Sequence, residues 1–295
     1  MKKLFWLSLM LGGLGIVLVS IPQNNPPIAT SSTVAPSPEQ EIQYNSYQLE
    51  QSVVHTLLVP ASSRFSVTPA LSEDLSTLES FAQKHQALAV LNGGFFDPRN
   101  HKTTSYVVQQ GKLVADPTQN EGLINNPANA SYLKQILDRA EFRRYQCGQT
   151  VRYDIVLHSE PTPSGCSLVN ALGGGPRLLP NLTLVQEGFL ESANGKVIRD
   201  ALGSYKLNAR SAVGITRDGS ILLVMVAQKP EIPTASGMTL RALATFMNSK
   251  GVEKAMNLDG GSSSSFYYKG KTIYGRLDAK GNLIKRPVLS VLLIH

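Results

Sequence analysis

Three apolar runs in this chain stop at glycine clusters: LNGGFFD (residues 91–97), ALGGGPRLL (171–179) and NLDGGSSSS (257–265). An apolar run that short reads as a strand, and a glycine at its end has no Cβ to hold a neighbouring backbone or a ligand away. One such cluster is a tight turn or a bulge. Three in one chain, two of them pairing Asn and Asp with Gly-Gly, point to strand ends that meet at a site, where N–H groups can cradle an anion. Asp259 is then an acid set at the end of a strand among residues with almost no side chain.

The rest of the pattern is β-rich with a few helices. Strands are expected at ALAVLN, SYVVQQ, RYDIVLH, RSAVGIT, SILLVMVAQ, KAMNLD, SSFYYK and PVLSVLLIH, and GITRDGSILL reads as a hairpin turning at Asp218-Gly219. Helical spacing marks LSEDLSTLESFAQKHQ, with Ser72 as its cap, and NASYLKQILDRAEFRRY. The clearest helix is GMTLRALATFMNSKG, capped by Thr239 and ended by Gly251. The expected class is α+β: one domain on a mixed β-sheet core with a few packed helices.

That domain is expected over residues 48–295. Residues 22–47, rich in Pro, Ser, Asn and Gln, read as a disordered tether. Before it, Lys2 and Lys3 precede an uncharged run from Leu4 to Ile21, the pattern of an export signal and also just long enough for a membrane anchor. Either reading places the remainder outside the cytoplasm: periplasmic, secreted or held at the outer face of a membrane. Cys147 and Cys166, 19 residues apart, suit one disulfide there, with two free thiols as the alternative. No second Cys or His pair supports zinc.

The net charge of +7 is spread without a basic run or an aromatic-interleaved stripe, which argues against nucleic acid and for anionic substrates. The familiar nucleotide loops and the G-x-S-x-G elbow are absent. The five histidines show no metal spacing, and His101, just after FFDPRN, alone is held in reserve. Arg210 opens a buried-looking strand, where a charge is costly unless it is paired with an acid such as Asp200 or Glu231, or aimed at a ligand.

LNGGFFD, GGGPRLL, ARSAVGITRDG, GMTLRALATFM and NLDGGSSSS, in this order over roughly residues 50–295, resemble the phosphodiester glycosidase family. The resemblance implies hydrolysis of a sugar from a sugar-1-phosphodiester, and it matches Asn92, Gly93, Gly94 and Asp97 in the first motif. It matches Gly174, Gly175 and Pro176 in the second, and Arg210 and Gly214 in the third. Gly237, Met238 and Thr239 match at the helix start, and Asn257, Asp259, Gly260 and Gly261 in the last. Ser262 stands where relatives often have a third glycine.

The departing phosphate is a weak base, so this chemistry needs a single carboxylate and a cation more than it needs the usual pair of acids. Asp259 is the first choice for that carboxylate and Asp97 the second. Arg210 would hold the phosphate, Asn92 and Asn257 would orient water or sugar, and Ser262 and Ser263 would offer hydroxyls. Phe95, Phe96, Phe266 or Tyr267 would flank the ring. The expected partner is a phosphoglycan or sugar-1-phosphodiester, with membrane contact only through an uncleaved leader. Asp97, Asp259 and Asn257 would also suit calcium or magnesium, and the spacing leaves the metal unassigned. The alternative is a non-catalytic glycan-binding or exopolysaccharide-assembly module of the same fold.

Overall fold

The eight runs expected as strands all form strands. In the computed structural model, which describes residues 40–295 together with positions 1, 4 and 15, they are Ala89–Asn92, Val107–Gln109, Thr150–Leu157, Arg210–Thr216, Ile221–Ala227, Val252–Asn257, Ser265–Tyr268 and Val288–Ile294. The leader and most of the tether lie outside the described residues. The described part of the tether already contains a strand, Gln43–Gln48, paired antiparallel with Val53–Val59. Tyr44 explains this early start, because its ring stacks on Phe266 and Tyr268.

The class is α+β, built on three larger sheets and a hairpin. The first sheet has six strands in the order Gln43–Gln48, Val53–Val59, Ile221–Ala227, Arg210–Thr216, Val252–Asn257, Arg177–Leu179. The second has five: Lys271–Tyr274, Ser265–Tyr268, Ala89–Asn92, Val288–Ile294, Val67–Ser76. The third carries Ala140–Cys147 between Thr150–Leu157 and Cys166–Gly173. All pairings among the described strands are antiparallel.

Alternation along the strands explains the layering. One face of the first sheet sends Leu57, Val213, Leu223 and Met256 into a core shared with Leu91, Phe266 and Leu292 of the second sheet and Phe142 of the third. Its other face packs Ala212, Leu222 and Val224 against Leu240, Leu243 and Met247 of the helix Leu240–Ser249. Thr239 caps that helix by accepting a hydrogen bond from the Ala242 N–H at 3.1 Å. The Asp218-Gly219 turn also forms as expected, with Gly219 at φ +84° and Asp218 accepting from the Ser220 N–H at 3.2 Å.

Two helical expectations are overturned in part. Residues 71–76 belong to the strand Val67–Ser76, because their backbone pairs with Val288–Ile294. The helix begins only at Leu78, with Thr77 rather than Ser72 as its cap. Likewise the second helix is a 3-10 turn over Pro127–Tyr132 followed by α-helix over Leu133–Leu137, and Ala140–Cys147 is a strand paired on both sides. In both segments long-range pairing overrides a local apolar spacing that suits a helix.

Cys147 and Cys166 are bonded to each other across directly opposed strand positions. Breaking this disulfide by Cys147→Ser with Cys166→Ser is expected to lower stability by about 3 kcal/mol, from the entropy of the loop it closes. Chemical denaturation of oxidised and mutant protein measures the difference.

Candidate active site

The first and last glycine motifs meet where the first two sheets join. The Asp259 N–H donates to the Gly93 carbonyl at 3.0 Å, and Asn92 Nδ2 donates to the Asp259 carbonyl at 2.7 Å. Asn92 Oδ1 accepts from Ser211 Oγ at 2.6 Å and from the Ser265 N–H at 3.2 Å. Asn92 is fully buried. It therefore clamps strands of two sheets to the segment carrying Asp259, and acts on the site as a positioning residue.

The first two glycine clusters serve close backbone packing. A Cβ on Gly93 would lie 2.6 Å from Ser290 Oγ, and one on Gly174 2.8 Å from the Asn257 carbonyl. Their N–H groups are already spent: Gly93 on Ser290, Gly174 on Ala140 and Gly175 on Asn257, each on a carbonyl, and Gly94 on Ser290 Oγ. The glycines next to a ligand-sized space are Gly260 and Gly261.

That space is a cavity of about 370 Å³. It brings together Arg210, Asn257, Asp259, Gly260 and Gly261 with residues 201–203 and Asn208, which also line it. Asp259 supplies its carboxylate. Burial raises the Asp259 pKa to about 6, against the Ser263 hydroxyl, the Arg286 charge and the Gly260 N–H, all of which favour the ionised form. The Gly260 N–H donates to Asp259 Oδ1 at 3.0 Å. Ser263 Oγ stands near enough to act on that carboxyl, yet it makes no hydrogen bond of good geometry.

Asn257 is buried and donates Nδ2 to the carbonyls of Gly175 and Leu258 at 3.0 and 2.6 Å. Its Oδ1 has no partner, and neither do the hydroxyls of Ser263 and Ser264. Unpaired buried polar atoms are costly. Of these three residues only Asn257 lines the cavity.

Arg210 is placed differently from the expected phosphate ligand. Its guanidinium donates to four main-chain carbonyls: Met238 at 3.0 Å, Leu202 at 3.0 Å, Gly203 at 2.7 Å and Lys206 at 3.1 Å. It is 2% exposed, and burial lowers its pKa to about 10, opposed by Asp200 and reinforced by Arg276. It remains charged at neutral pH and ties the rim of the cavity to the sheet.

Two cations that the sequence reading missed stand behind the cavity lining, one bonded to Asn208 and one close enough to act on Asp259, and neither lines the cavity itself. Arg286 donates from Nη1 to Ser262 Oγ at 2.9 Å and lies 4.9 Å from the centre of the Phe96 ring. Arg276 donates from Nη1 to Asn208 Oδ1 at 2.5 Å. Both are half-buried. The stretch RLDAKGNLIKR holds both, and only its scattered basic character was visible in one dimension.

Other expected residues point elsewhere. Asp97 lines a separate concavity with Asn100 and Glu121, and both of its carboxylate oxygens accept from Arg99, which holds its pKa low. The Asp97, Asp259 and Asn257 cation set is thus not assembled around one space. Thr239 is spent as a helix cap. Phe266 belongs to the core, Phe95 packs on Phe189 at 5.7 Å, and His101 lies exposed near Asp116.

Comparison with known proteins gives the family and the fold. Residues 85–295 match the family model described as phosphodiester glycosidase. Among curated proteins none matches the chain. The fold is shared with the catalytic domain of zebrafish N-acetylglucosamine-1-phosphodiester alpha-N-acetylglucosaminidase auto-inhibited by its pro-peptide. The two are 19% identical with a TM-score of 0.61, over 86% of this chain and 82% of that one. A hypothetical protein from Synechocystis is 17% identical with a TM-score of 0.53, over 86% of this chain and 61% of its own. A presumed exported protein of Burkholderia pseudomallei K96243 is 19% identical with a TM-score of 0.56, over 82% and 74%. With the family match running over most of its length, the chain belongs to the phosphodiester glycosidase family.

Proposed function

We propose that this protein is an exported hydrolase that releases a sugar from a sugar-1-phosphodiester in envelope or extracellular glycans. The observation that carries the reading is the Asp259 carboxyl, the one carboxylate among the described residues that line the cavity, tuned to about 6 beside Arg286. A group that titrates near neutrality is suited to take a proton from water. The leader pattern and the Cys147–Cys166 disulfide support export.

In the reaction, the water oxygen bonds to C1 of the sugar as the C1–O bond to phosphate breaks. The electron pair leaves with the phosphate monoester, and the water proton passes to Asp259. Arg286 and Arg276 offset charge growing on the departing phosphate, and Asn257 Oδ1 accepts from a sugar hydroxyl or from the water. Asn92 and Arg210 hold these groups in place.

The test incubates the full-length protein with a panel of sugar-1-phosphodiesters, UDP-N-acetylglucosamine included, in 18O-labelled water. Label in the free sugar supports the reading. Label in phosphate would place the break at the P–O bond, and saturable binding without product would make the chain a binding module. Arg286→Ala is expected to raise KM about tenfold or more, since a charged hydrogen bond to phosphate is worth roughly 1.5–3 kcal/mol, with Tm nearly unchanged. Steady-state kinetics and a thermal melt check both halves.

A further inference from the structure

At the far end of the strand Arg210–Thr216, about 20 Å from Arg210 by strand rise, lies a second feature with its own chemistry. Two concavities of about 530 and 600 Å³ adjoin at Ser66 and Arg144, which line both, and make a trough of two parts. Arg64, Arg144, Arg152, Arg217 and Lys254 line the first part, and Lys112 lines the second. These six cations come from six separate segments of the chain, so the charge is assembled by the fold and was invisible as a run in sequence.

The three carboxylates of the first part, Asp154, Glu253 and Asp218, offset only some of this charge and leave cations in excess. Asp154 is held by Lys254 at 2.5 Å and by Arg152 at 3.4 Å. Glu253 pairs with Arg217 at 2.6 Å, and Asp218 is turned into its own turn by Thr216 and Ser220. Arg144 leans on the Tyr153 hydroxyl, while its Nε–H is buried without an acceptor. Among the described residues, no Asp or Glu side chain lines the Lys112 part; Gln110, Asn170, Ser66 and Thr68 do.

A concave cationic surface concentrates anions, and arginines bind carboxylate or phosphate in pairs of hydrogen bonds. Amides and hydroxyls beside them match the hydroxyls of sugars. The two aromatics offer no open platform for bases: Phe65 is covered by Arg64 at 5.0 Å, and Tyr153 is stacked on Phe142 at 5.3 Å. Single-stranded nucleic acid is bound largely through such platforms. We infer that this trough is a second, non-catalytic binding site for an acidic saccharide, a chain of sugar units bearing carboxylate or phosphate groups. The link to glycans leans on the proposed function, whereas the preference for acidic groups stands on the trough alone.

The probe is fluorescein-labelled oligogalacturonate, measured by anisotropy with full-length protein at about 0.15 M salt. Neutral dextran oligomers and single-stranded DNA of equal charge run beside it. Saturable binding of oligogalacturonate is expected, with dextran unbound and DNA at least tenfold weaker. Arg64→Glu with Arg217→Glu, both on exposed segments, is expected to weaken binding at least tenfold, with Tm unchanged. The same variant should release sugar from a small sugar-1-phosphodiester at the wild-type rate, and Arg286→Ala should bind oligogalacturonate normally. No saturable binding, binding indifferent to the charge reversal, or DNA bound as tightly would overturn the inference. Charge-sensitive binding in a protein that turns over no diester would leave the trough assigned and remove the enzymatic reading instead.

Discussion

Replacing Asp259 with Asn is expected to abolish turnover and, at the same time, to make the protein more stable at neutral pH. The first half follows from losing the one carboxylate that lines the cavity among the described residues; a positioned base contributes on the order of 10²–10⁴ in rate. The second half follows from burial, which raises the Asp259 pKa from 3.8 to about 6. Below pH 3.8 the group is protonated whether the chain is folded or not, and it costs nothing. Between 3.8 and 6 the unfolded chain sheds the proton first, so stability falls as pH rises. Above 6 the full cost is present, on the order of 3 kcal/mol. Asn keeps the oxygen that accepts from the Gly260 N–H and carries no charge to desolvate. Tm should therefore rise by roughly 5–10 °C at pH 7, and the gain should vanish near pH 4. A dead variant whose melting temperature is unchanged or lower at pH 7 would mean that the carboxylate is well solvated and that the tuned-base argument is wrong. In the wild type, the same titration should appear as a rate that climbs through pH 6 and then levels.

The eight strands expected from the sequence were legible because each is a short run of apolar or alternating residues, and burial of one or both faces demands such a run. Exposed strands such as Lys112–Ala115 and Lys196–Asp200 carry no such signal. The segment Val67–Ser76 was not legible either, since its leucines suit a helix equally well and only the distant Val288–Ile294 decides the matter. Within the site, Asn92 and Asp259 were visible because Gly-Gly neighbours mark strand ends packed closely together. What those neighbours do was misjudged. Gly93 and Gly174 make room for other backbone, and their N–H groups never reach the cavity. Asp97 had the same sequence dressing as Asp259, but Arg99, two residues on, claims both of its oxygens. Arg286 was missed for the opposite reason. It carries no glycine signature and reaches Ser262 from another part of the chain, so only the folded backbone reveals it.

Arg210 poses the sharper test, because a ligand-binding arginine and a structural one give opposite results on removal. Arg210→Ala is expected to destabilise the protein by about 3–5 kcal/mol, since the change strands carbonyls of Leu202, Gly203, Lys206 and Met238 that the guanidinium now satisfies. Turnover should fall with it, because residues 201–203 form one wall of the cavity. Arg210→Lys should restore little: one ammonium has three donors and none of the planar fork that reaches several carbonyls at once. Hydrogen exchange should quicken across residues 200–206 in both variants while amides of the helix Leu240–Ser249 stay protected. If instead Arg210→Ala kept its melting temperature and lost only affinity for diester, the side chain would be a phosphate ligand after all. The carbonyl bonds would then be a resting arrangement that substrate displaces. The buried site and its four acceptors weigh against that outcome, because a guanidinium already satisfied by fixed carbonyls gains little by exchanging them for a phosphate. Arg286, with a single hydrogen bond to Ser262 and a half-open position, has far less to give up.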